Sequence, residues 1–376
     1  MSGTVGDNLF RASGVVASSA TDYDDDQIQS NIAILGFYVA VNGSLVRYNL
    51  VDQSIDEYFD TSGVDASAST GEIRSDASPY YYVGGTSTSP TVTEDADATG
   101  TDGLYSWYKW TDTGATGSYA NDTEQAHSWL VIGGGGAGCN NRGAGGGGAG
   151  GYREAKATGD PYTSGPLAVA GGLTVSASPG AYPIVIGGGG TGGPYPGNNP
   201  GTDGVNSTFS TITGAKGGLG GTFNQAGNPG GSGGGGGSAP GSQMAGGTGD
   251  TPPAPIAQGK DGGAGEYPSG GGGGGGGGGA TVAGADCVFP VGPGGNGGDG
   301  ATSGITGSPI GRAGGSGGGS PAGAGTATGF GNKPGGGVPG TNGDDNTGAG
   351  AGAAGSSTTT GGTGGSGIVI IRYKFQ

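Results

Sequence analysis

The chain has 376 residues, of which 103 are glycine and only 31% are apolar, and its formal net charge is −16. This length allows two or three domains, but there are too few apolar residues for an ordinary core throughout. Residues 1–128 carry 19 acids and 4 bases, whereas residues 129–376 carry 10 acids and 9 bases. Neither part has the clustered Lys and Arg that bind nucleic acid or an anionic membrane, so we predict neither partner.

Residues 1–30 are small and polar, and they predict an extended attachment arm held by a partner. Three aspartates in this segment have the spacing of the first ligands of an EF-hand loop: Asp22, Asp24 and Asp26. However, Gln27 stands where the loop needs glycine, and Ala33 stands where it needs the bidentate acid. We therefore predict a solvated acidic face and no metal site.

Residues 31–127 predict an acidic antiparallel β domain, and its clearest element is a hairpin. Asn42 and Gly43 separate two apolar runs, 37–41 and 44–51. Asn-Gly favours a two-residue turn, because both turn positions need positive φ. The register that follows pairs Val41 with Ser44, Val39 with Val46, and Phe37 with Tyr48.

Residues 128–376 form a glycine-rich region that is either disordered or packed as polyglycine II helices. Thirteen of the 103 glycines lie in residues 1–128, which leaves 90 in the last 248 positions. Ordinary helices and sheets do not tolerate this density. Short apolar strands precede glycine runs at 129–132 and 183–186, and one follows the last run at 368–375. An apolar C-terminal strand left unpaired would promote aggregation, so we favour the ordered alternative.

An ordered backbone in such a region needs stabilising contacts beyond its own hydrogen bonds. Fixing one residue costs about 1–2 kcal/mol, and a net hydrogen bond returns about 0.5–1.5 kcal/mol. We therefore expect the apolar strands to clamp the glycine helices. The predicted fold is all-β plus polyglycine II helices: a small antiparallel β domain followed by a glycine-rich bundle. The clamp residues are Trp129, Val131, Ile184, Ile186, Ile368 and Ile370.

The sequence has little that predicts catalysis. Residues 133–138 match G-x-G-x-x-G after a strand, but a dinucleotide site also needs a helix there, and the glycine-rich continuation does not form one. His127 is the only histidine, so multi-His metal sites are excluded. The two cysteines, Cys139 and Cys287, are too few for a disulfide scaffold, and whether they pair is left open. We predict no enzyme, no cofactor and no metal.

Six blocks of the sequence stand out together: 129–136, 150–153, 182–187, 206–209, 214–218 and 364–373. They resemble the glycine-rich domain of bacteriophage tail-fibre and virion proteins, which is common in phages of marine cyanobacteria. The N-terminal residues 3–16 also resemble those of such phage structural proteins. The region is similar in style to the tip adhesins of T-even-like phages, whose polyglycine helices present receptor-binding loops, although the N-terminal domain differs and leaves the docking partner open.

This resemblance implies a non-enzymatic virion protein on the particle exterior, made in the host cytoplasm and released by lysis. Its expected partners are other virion proteins, bound by the N-terminal region, and a host receptor, either a glycan or an outer-membrane protein. A homo-oligomer such as a trimer is an open alternative. The rival functions are a capsid-decorating fibre or extracellular filament subunit without a receptor, and an ice-binding polyglycine protein.

Loop aromatics are the candidates for receptor binding, because they suit sugar or protein surfaces. The alternative for each is that it only caps the end of a glycine helix. The candidates are Tyr162, Tyr195, Tyr267, Phe289 and Phe330.

Overall fold

The computed structural model divides into two compact units, whose boundary in the sequence lies between Ser89 and Pro90. In the first unit it describes the strands alone. In the second unit the described residues are 95–120, 124–141, 143–176, 181–266, 272–288, 292–321, 323–326, 340–355 and 360–374. The described secondary structure is all β, and these residues include no helix with the length and apolar character needed to span a membrane.

The first unit contains one antiparallel three-stranded sheet with the strand order β1-β2-β3. In this sheet Val41 pairs with Ser44, Val39 with Val46, and Phe37 with Tyr48. The register predicted for the hairpin is therefore confirmed. The attachment arm predicted at 1–30 lies outside the described residues. The strands are β1 (Gly36–Val41), β2 (Ser44–Asn49) and β3 (Ile55–Asp60).

The second unit has fifteen described strands, and most of them are short because glycine segments interrupt them. They are β4 (Ala98–Asp102), β5 (Tyr105–Trp110), β6 (Thr116–Tyr119), β7 (Gln125–Ile132), β8 (Tyr152–Lys156), β9 (Ala168–Ala170), β10 (Leu173–Val175), β11 (Tyr182–Val185), β12 (Ser207–Phe209), β13 (Ile212–Gly214), β14 (Gln243–Met244), β15 (Gly265–Glu266), β16 (Ala301–Ser303), β17 (Ile310–Arg312) and β18 (Ile368–Lys374).

Two sheets organise this unit. The larger has the order β4-β5-β18-β7-β8-β9, with β10 also paired to β7, and only the β8–β9 pairing is parallel. The smaller has the order β13-β12-β11-β6. Two short antiparallel pairs, β14–β15 and β16–β17, complete the described pairings. Strands β4–β6 lie within the predicted 31–127 domain, yet β5 pairs with β18 and β6 pairs with β11, and both partners belong to the glycine-rich region. The contact boundary therefore differs from the predicted boundary at 127/128.

The C-terminal strand β18 is at the centre of the larger sheet, hydrogen-bonded to β5 on one side and β7 on the other. Its apolar side chains alternate between two cores. Val369 and Ile371 pack in the core between the two sheets, and Ile368 and Ile370 pack in the core on the opposite face. An apolar run without polar alternation fits a strand buried on both faces.

The glycine segments continue the register of the strands from which they emerge. Ile132 pairs with Tyr152 in the sheet, and in the same antiparallel register Gly136 donates to the carbonyl oxygen of Gly148 at 2.8 Å. Along a glycine segment, however, hydrogen bonds to the same neighbouring segment recur every three residues. From 133 to 138, successive amides donate in rotation to three different segments.

The run 274–279 is bonded on all sides. Its amides donate in rotation to three segments, through the carbonyl oxygens of Gly319, Gly236, Ala285, Ser316, Gly233 and Val282. Its carbonyl oxygens accept from three further segments, through the amides of Gly295, Gly146, Gly263, Gly298, Ala149 and Lys260. A Cβ built on Gly276 would lie within 3.0 Å of the Asn296 carbonyl oxygen, so only glycine fits this close approach.

Candidate functional site

Three loops at the end of the glycine segments form a surface that we call the tip: residues 139–141, 194–199 and 222–225. The segments 133–138, 187–193 and 215–221 lead to these loops from β7, β11 and β13. The tip therefore lies at the end of these glycine segments away from β7, β11 and β13.

Asn140 fixes the loop 194–199 from below. Its side chain is fully buried, and Nδ2 donates to the carbonyl oxygens of Pro194 at 2.6 Å and Gly197 at 2.9 Å. Its Oδ1 accepts from the backbone amide of Asn199 at 3.0 Å. The Asn199 side chain in turn donates to the carbonyl oxygen of Pro196 at 2.7 Å. These bonds hold the loop in one conformation before any ligand arrives.

A second asparagine joins the three loops of the tip. Asn198 Oδ1 accepts from Asn141 Nδ2 at 3.0 Å and from the Phe223 amide at 3.3 Å. Asn198 Nδ2 donates to the Phe223 carbonyl oxygen at 3.4 Å. The tip is therefore a continuous surface and not a set of independent loops.

Tyr195 is the aromatic side chain that the tip offers to solvent. It is 52% exposed and stands between Pro194 and Pro196. The other predicted candidate in the described residues, Tyr162, is only 5% exposed and packs with Ile305 in the core behind the larger sheet. Tyr162 therefore packs inside the fold, a role that the sequence analysis did not consider. The remaining candidates, Tyr267, Phe289 and Phe330, lie outside the described residues.

The six predicted clamp residues are all buried, but they divide between the two cores. Four of them pack between the sheets, and two pack behind the larger sheet. Those between the sheets are Trp129, Val131, Ile184 and Ile186, and those behind are Ile368 and Ile370.

A buried ionic network lies behind the larger sheet, and the sequence analysis missed it. Arg372, fully buried on β18, donates through Nε to both carboxylate oxygens of Asp160, at 2.9 and 3.1 Å. Asp160 also accepts from the Ser128 hydroxyl at 2.7 Å. The more exposed Asp102 accepts from Arg372 Nη1 at 3.0 Å. A lone Arg in an apolar strand was the only available signal, because its main partner lies 212 residues away.

Glu154 anchors a second part of this network. Its carboxylate accepts from the Tyr152 hydroxyl at 2.6 Å, the Gly165 amide at 2.8 Å and the Ser303 hydroxyl at 2.7 Å. Burial and the adjacent Glu154 carboxylate raise the pKa of Tyr152 well above its usual value. One Glu154 oxygen accepts from Tyr152 and Gly165, and the other accepts from Ser303 on β16. Both oxygens are therefore used in internal hydrogen bonds, and the arrangement is suited to stabilising the fold.

The single histidine lies in the core between the sheets. The Tyr119 hydroxyl is 2.7 Å from His127 Nε2, and His127 Nδ1 is 3.0 Å from the Gln125 carbonyl oxygen. The carbonyl can only accept, so Nδ1 carries the proton and Nε2 accepts from the tyrosine. Burial lowers the pKa of His127 to about 4. The imidazole is therefore neutral at ordinary pH and lies inside the fold.

Both cysteines are free, which answers the question of pairing. Cys139 is a buried residue of the tip and donates to the Gly220 carbonyl oxygen at 2.7 Å. Burial raises the pKa of its thiol to about 12. A thiol in this environment is not a nucleophile at neutral pH.

These features define an all-β, glycine-rich protein in which glycine segments lead from strands of the two sheets to a loop-bearing tip. The chain belongs to the family described as glycine-rich domain, whose model matches residues 111–374. The match ends at Lys374, the last residue of β18, so it includes the strand at the centre of the larger sheet. No curated protein matches the chain.

Proposed function

We propose that this chain is a non-enzymatic structural protein of a bacteriophage particle, a tail-fibre or tip adhesin that presents the tip loops to a host receptor. The observation that carries the proposal is the tip itself: an exposed tyrosine on loops fixed by buried hydrogen bonds, at the end of glycine segments that lead away from β7, β11 and β13. The resemblance of the strand-flanked glycine blocks to phage tail-fibre domains supports the same assignment.

The proposal includes polyglycine II helices as the scaffold. In such a helix there are three residues per turn, so backbone groups point in three directions in rotation. The three-residue recurrence of the hydrogen bonds and the six segments around 274–279 support this conformation. Backbone bonds do not depend on side-chain identity, so such a scaffold tolerates changes in its loops.

In this proposal the N-terminal region docks to other virion proteins, and the glycine-rich region points away from the particle. The charge distribution supports this orientation on the particle. Residues 1–128 carry a net charge of −15 (4 bases minus 19 acids), whereas residues 129–376 carry −1 (9 bases minus 10 acids). A nearly uncharged distal region approaches an anionic bacterial surface without strong repulsion. The protein is then exposed on the virion exterior and released by lysis.

Adsorption of the purified full-length protein to host cells tests the proposal. We expect saturable binding to cells of a susceptible cyanobacterial strain, weak binding to a resistant strain, and competition with phage adsorption. Tyr195→Ala should reduce cell binding. The matched control is Val205→Ala, because Val205 is similarly exposed, at 54%, and lies outside the tip.

Two outcomes would contradict the proposal. Equal binding to susceptible and resistant strains would show that the protein does not recognise a receptor specific to susceptible cells. Absence of cell binding, together with labelling of the capsid by antibodies against the protein, would favour a decorating fibre without a receptor.

A further inference from the structure

We propose that a cavity beside β8 is a binding site for a carboxylate attached to a short branched aliphatic group, with Arg153 as the cationic contact. The cavity is formed by β7, β8 and the chain at β9 of the larger sheet together with the loop 250–258. None of its lining residues belongs to the tip, so the inference goes beyond the proposed function and does not depend on it. Three observations carry it: the apolar lining, the donors in the wall and the fixed loop.

The first observation is the size and lining of the cavity. Its volume is about 110 Å³, which is smaller than the roughly 150 Å³ cavity that accepts a benzene ring. The cavity therefore suits a short aliphatic group. Leu167 and Val169 are half-buried and Ile256 is 43% exposed, so a ligand can reach it from solvent. The apolar part of the wall is formed by Trp129, Leu167, Val169, Pro255 and Ile256.

The second observation is a pair of donors in the same wall. The Arg153 guanidinium lies over the Trp129 ring, with Cζ 5.9 Å from the ring centroid, and its Nη1 donates to the Thr213 carbonyl oxygen at 3.4 Å. Across the described residues, Arg153 forms no ion pair. The Trp129 indole N–H is buried and has no acceptor in the described part of the chain. A buried donor without a partner is costly, and an acceptor oxygen on a ligand would remove that cost.

The nearby acidic groups are already used within the fold. Glu154 also lines the cavity, but both of its carboxylate oxygens accept internal hydrogen bonds. Asp250 accepts through Oδ1 from the amides of Ala254 and Gln258, both at 3.1 Å. Burial lowers the pKa of Arg153, and the Asp250 charge opposes this shift. A partly desolvated guanidinium without a paired carboxylate favours an anionic ligand over a neutral one.

The third observation is that the loop carrying Pro255 and Ile256 is fixed before a ligand binds. Gln258 is buried, and its Nε2 donates to the Pro252 carbonyl oxygen at 2.8 Å. The backbone carbonyl oxygen of Gln258 accepts from the Tyr152 amide at 2.8 Å, which ties the loop to β8. Since this wall is already ordered, binding does not have to order it.

The experiment titrates the full-length protein, labelled with ¹⁵N in its tryptophans, with 4-methylpentanoate and with 4-methylpentanamide. The two probes share the aliphatic group, and only the first is charged. We expect the carboxylate to shift the Trp129 indole signal saturably at millimolar concentration, and the amide to bind about tenfold more weakly or less. Trp129→Phe assigns the signal. Equal affinities for the two probes, or no shift with the carboxylate, would overturn the proposal.

Arg153→Gln tests the cationic contact. Glutamine retains a donor while it removes the charge, so binding of 4-methylpentanoate should weaken about tenfold or more. The matched control is Lys156→Gln on the same strand, because the Lys156 ammonium lies over the Tyr162 ring behind the larger sheet. This control should bind within about twofold of the unaltered protein. Equal losses in the two variants would overturn the assignment to Arg153.

Ile256→Glu tests the site without changing a buried residue. Because Ile256 is exposed, the variant should fold, and its negative charge beside the cavity should weaken 4-methylpentanoate binding about tenfold at low salt. Unchanged binding would contradict this location.

A tripeptide, Gly-Gly-Leu with a free carboxyl terminus, distinguishes the two sources of such a ligand. Its last residue carries the same aliphatic group and carboxylate as 4-methylpentanoate. Tighter binding of the tripeptide would identify a chain terminus as the ligand, whereas tighter binding of 4-methylpentanoate would identify a free acid. Both results support the site, and loss of both in Arg153→Gln would confirm that they share it.

Discussion

The two sheets and the glycine segments of the second unit are both buried, yet different interactions hold them. In the sheets, large side chains from facing strands fill two cores, and Arg372 pairs with Asp160 behind one of them. In the glycine segments, backbone amides bond to carbonyl groups of neighbouring segments, and added side chains would clash. The stability of the sheets is therefore concentrated in a few side chains, whereas that of the glycine region is distributed over many backbone bonds.

The largest expected effect of a single change is in the sheet region, at the buried ion pair. Asp160→Asn leaves the Arg372 charge buried without its main partner, which should cost about 3–5 kcal/mol of unfolding free energy. The control is Asp102→Asn, because Asp102 contacts the same Arg372 but its side chain is 41% exposed. That change should cost less than about 1 kcal/mol. Equal losses in chemical denaturation would contradict the concentration of stability in buried side chains.

The next largest effect is a pH dependence of the unfolding free energy, which arises from His127 in the core between the sheets. The pKa of His127 is lowered to about 4 in the folded protein, and an unfolded histidine titrates near 6.5. The unfolded state therefore binds the proton first, so stability should be full above pH 6.5 and fall as the pH drops toward 4. The total loss is about 3 kcal/mol.

Denaturation curves between about pH 7 and pH 4.5 check this prediction. His127→Gln should flatten the profile in that range, because the titrating group is gone. A variant that retains the full slope would show that other groups cause the acid sensitivity.

A smaller effect per residue is expected in the glycine region. Gly276→Ala places a methyl group within 3.0 Å of the Asn296 carbonyl oxygen, which should cost about 1–3 kcal/mol. Gly188→Ala is the matched control, since a Cβ there meets nothing within 4 Å. It should be neutral or stabilise by up to about 1 kcal/mol, because alanine restricts the unfolded chain. Equal melting temperatures for the two variants would show that the segments are not closely packed.

The smallest stability effect is expected at the tip. Tyr195→Ala should change the unfolding free energy by less than about 0.5 kcal/mol, because the ring is exposed. Its effect should appear in binding. A large loss of stability in a thermal melt would show that Tyr195 supports the loop and is not a free contact surface.

Local signals predicted parts of the fold well. Asn42 and Gly43 predicted the hairpin register, because a two-residue turn leaves one way to pair the flanking runs. The apolar run at 368–375 predicted a strand, and the structure has β18 at Ile368–Lys374. Its position between β5 and β7 was not predictable, because pairing across more than 200 residues leaves no local pattern.

The candidate site was predictable only in part. An exposed aromatic among turn residues singled out Tyr195, whereas the same reasoning also selected the buried Tyr162. The supporting residue Asn140 carried no local signal, because its partners are more than 50 residues away along the chain.

Amide hydrogen exchange across the glycine segments tests the central claim most directly. If segments bonded to one another form the scaffold, the amides of 274–279 should exchange as slowly as those of β18 and β7, within about tenfold in rate. Exchange of these amides at the rate of an unstructured chain, while β18 and β7 stay protected, would contradict the account.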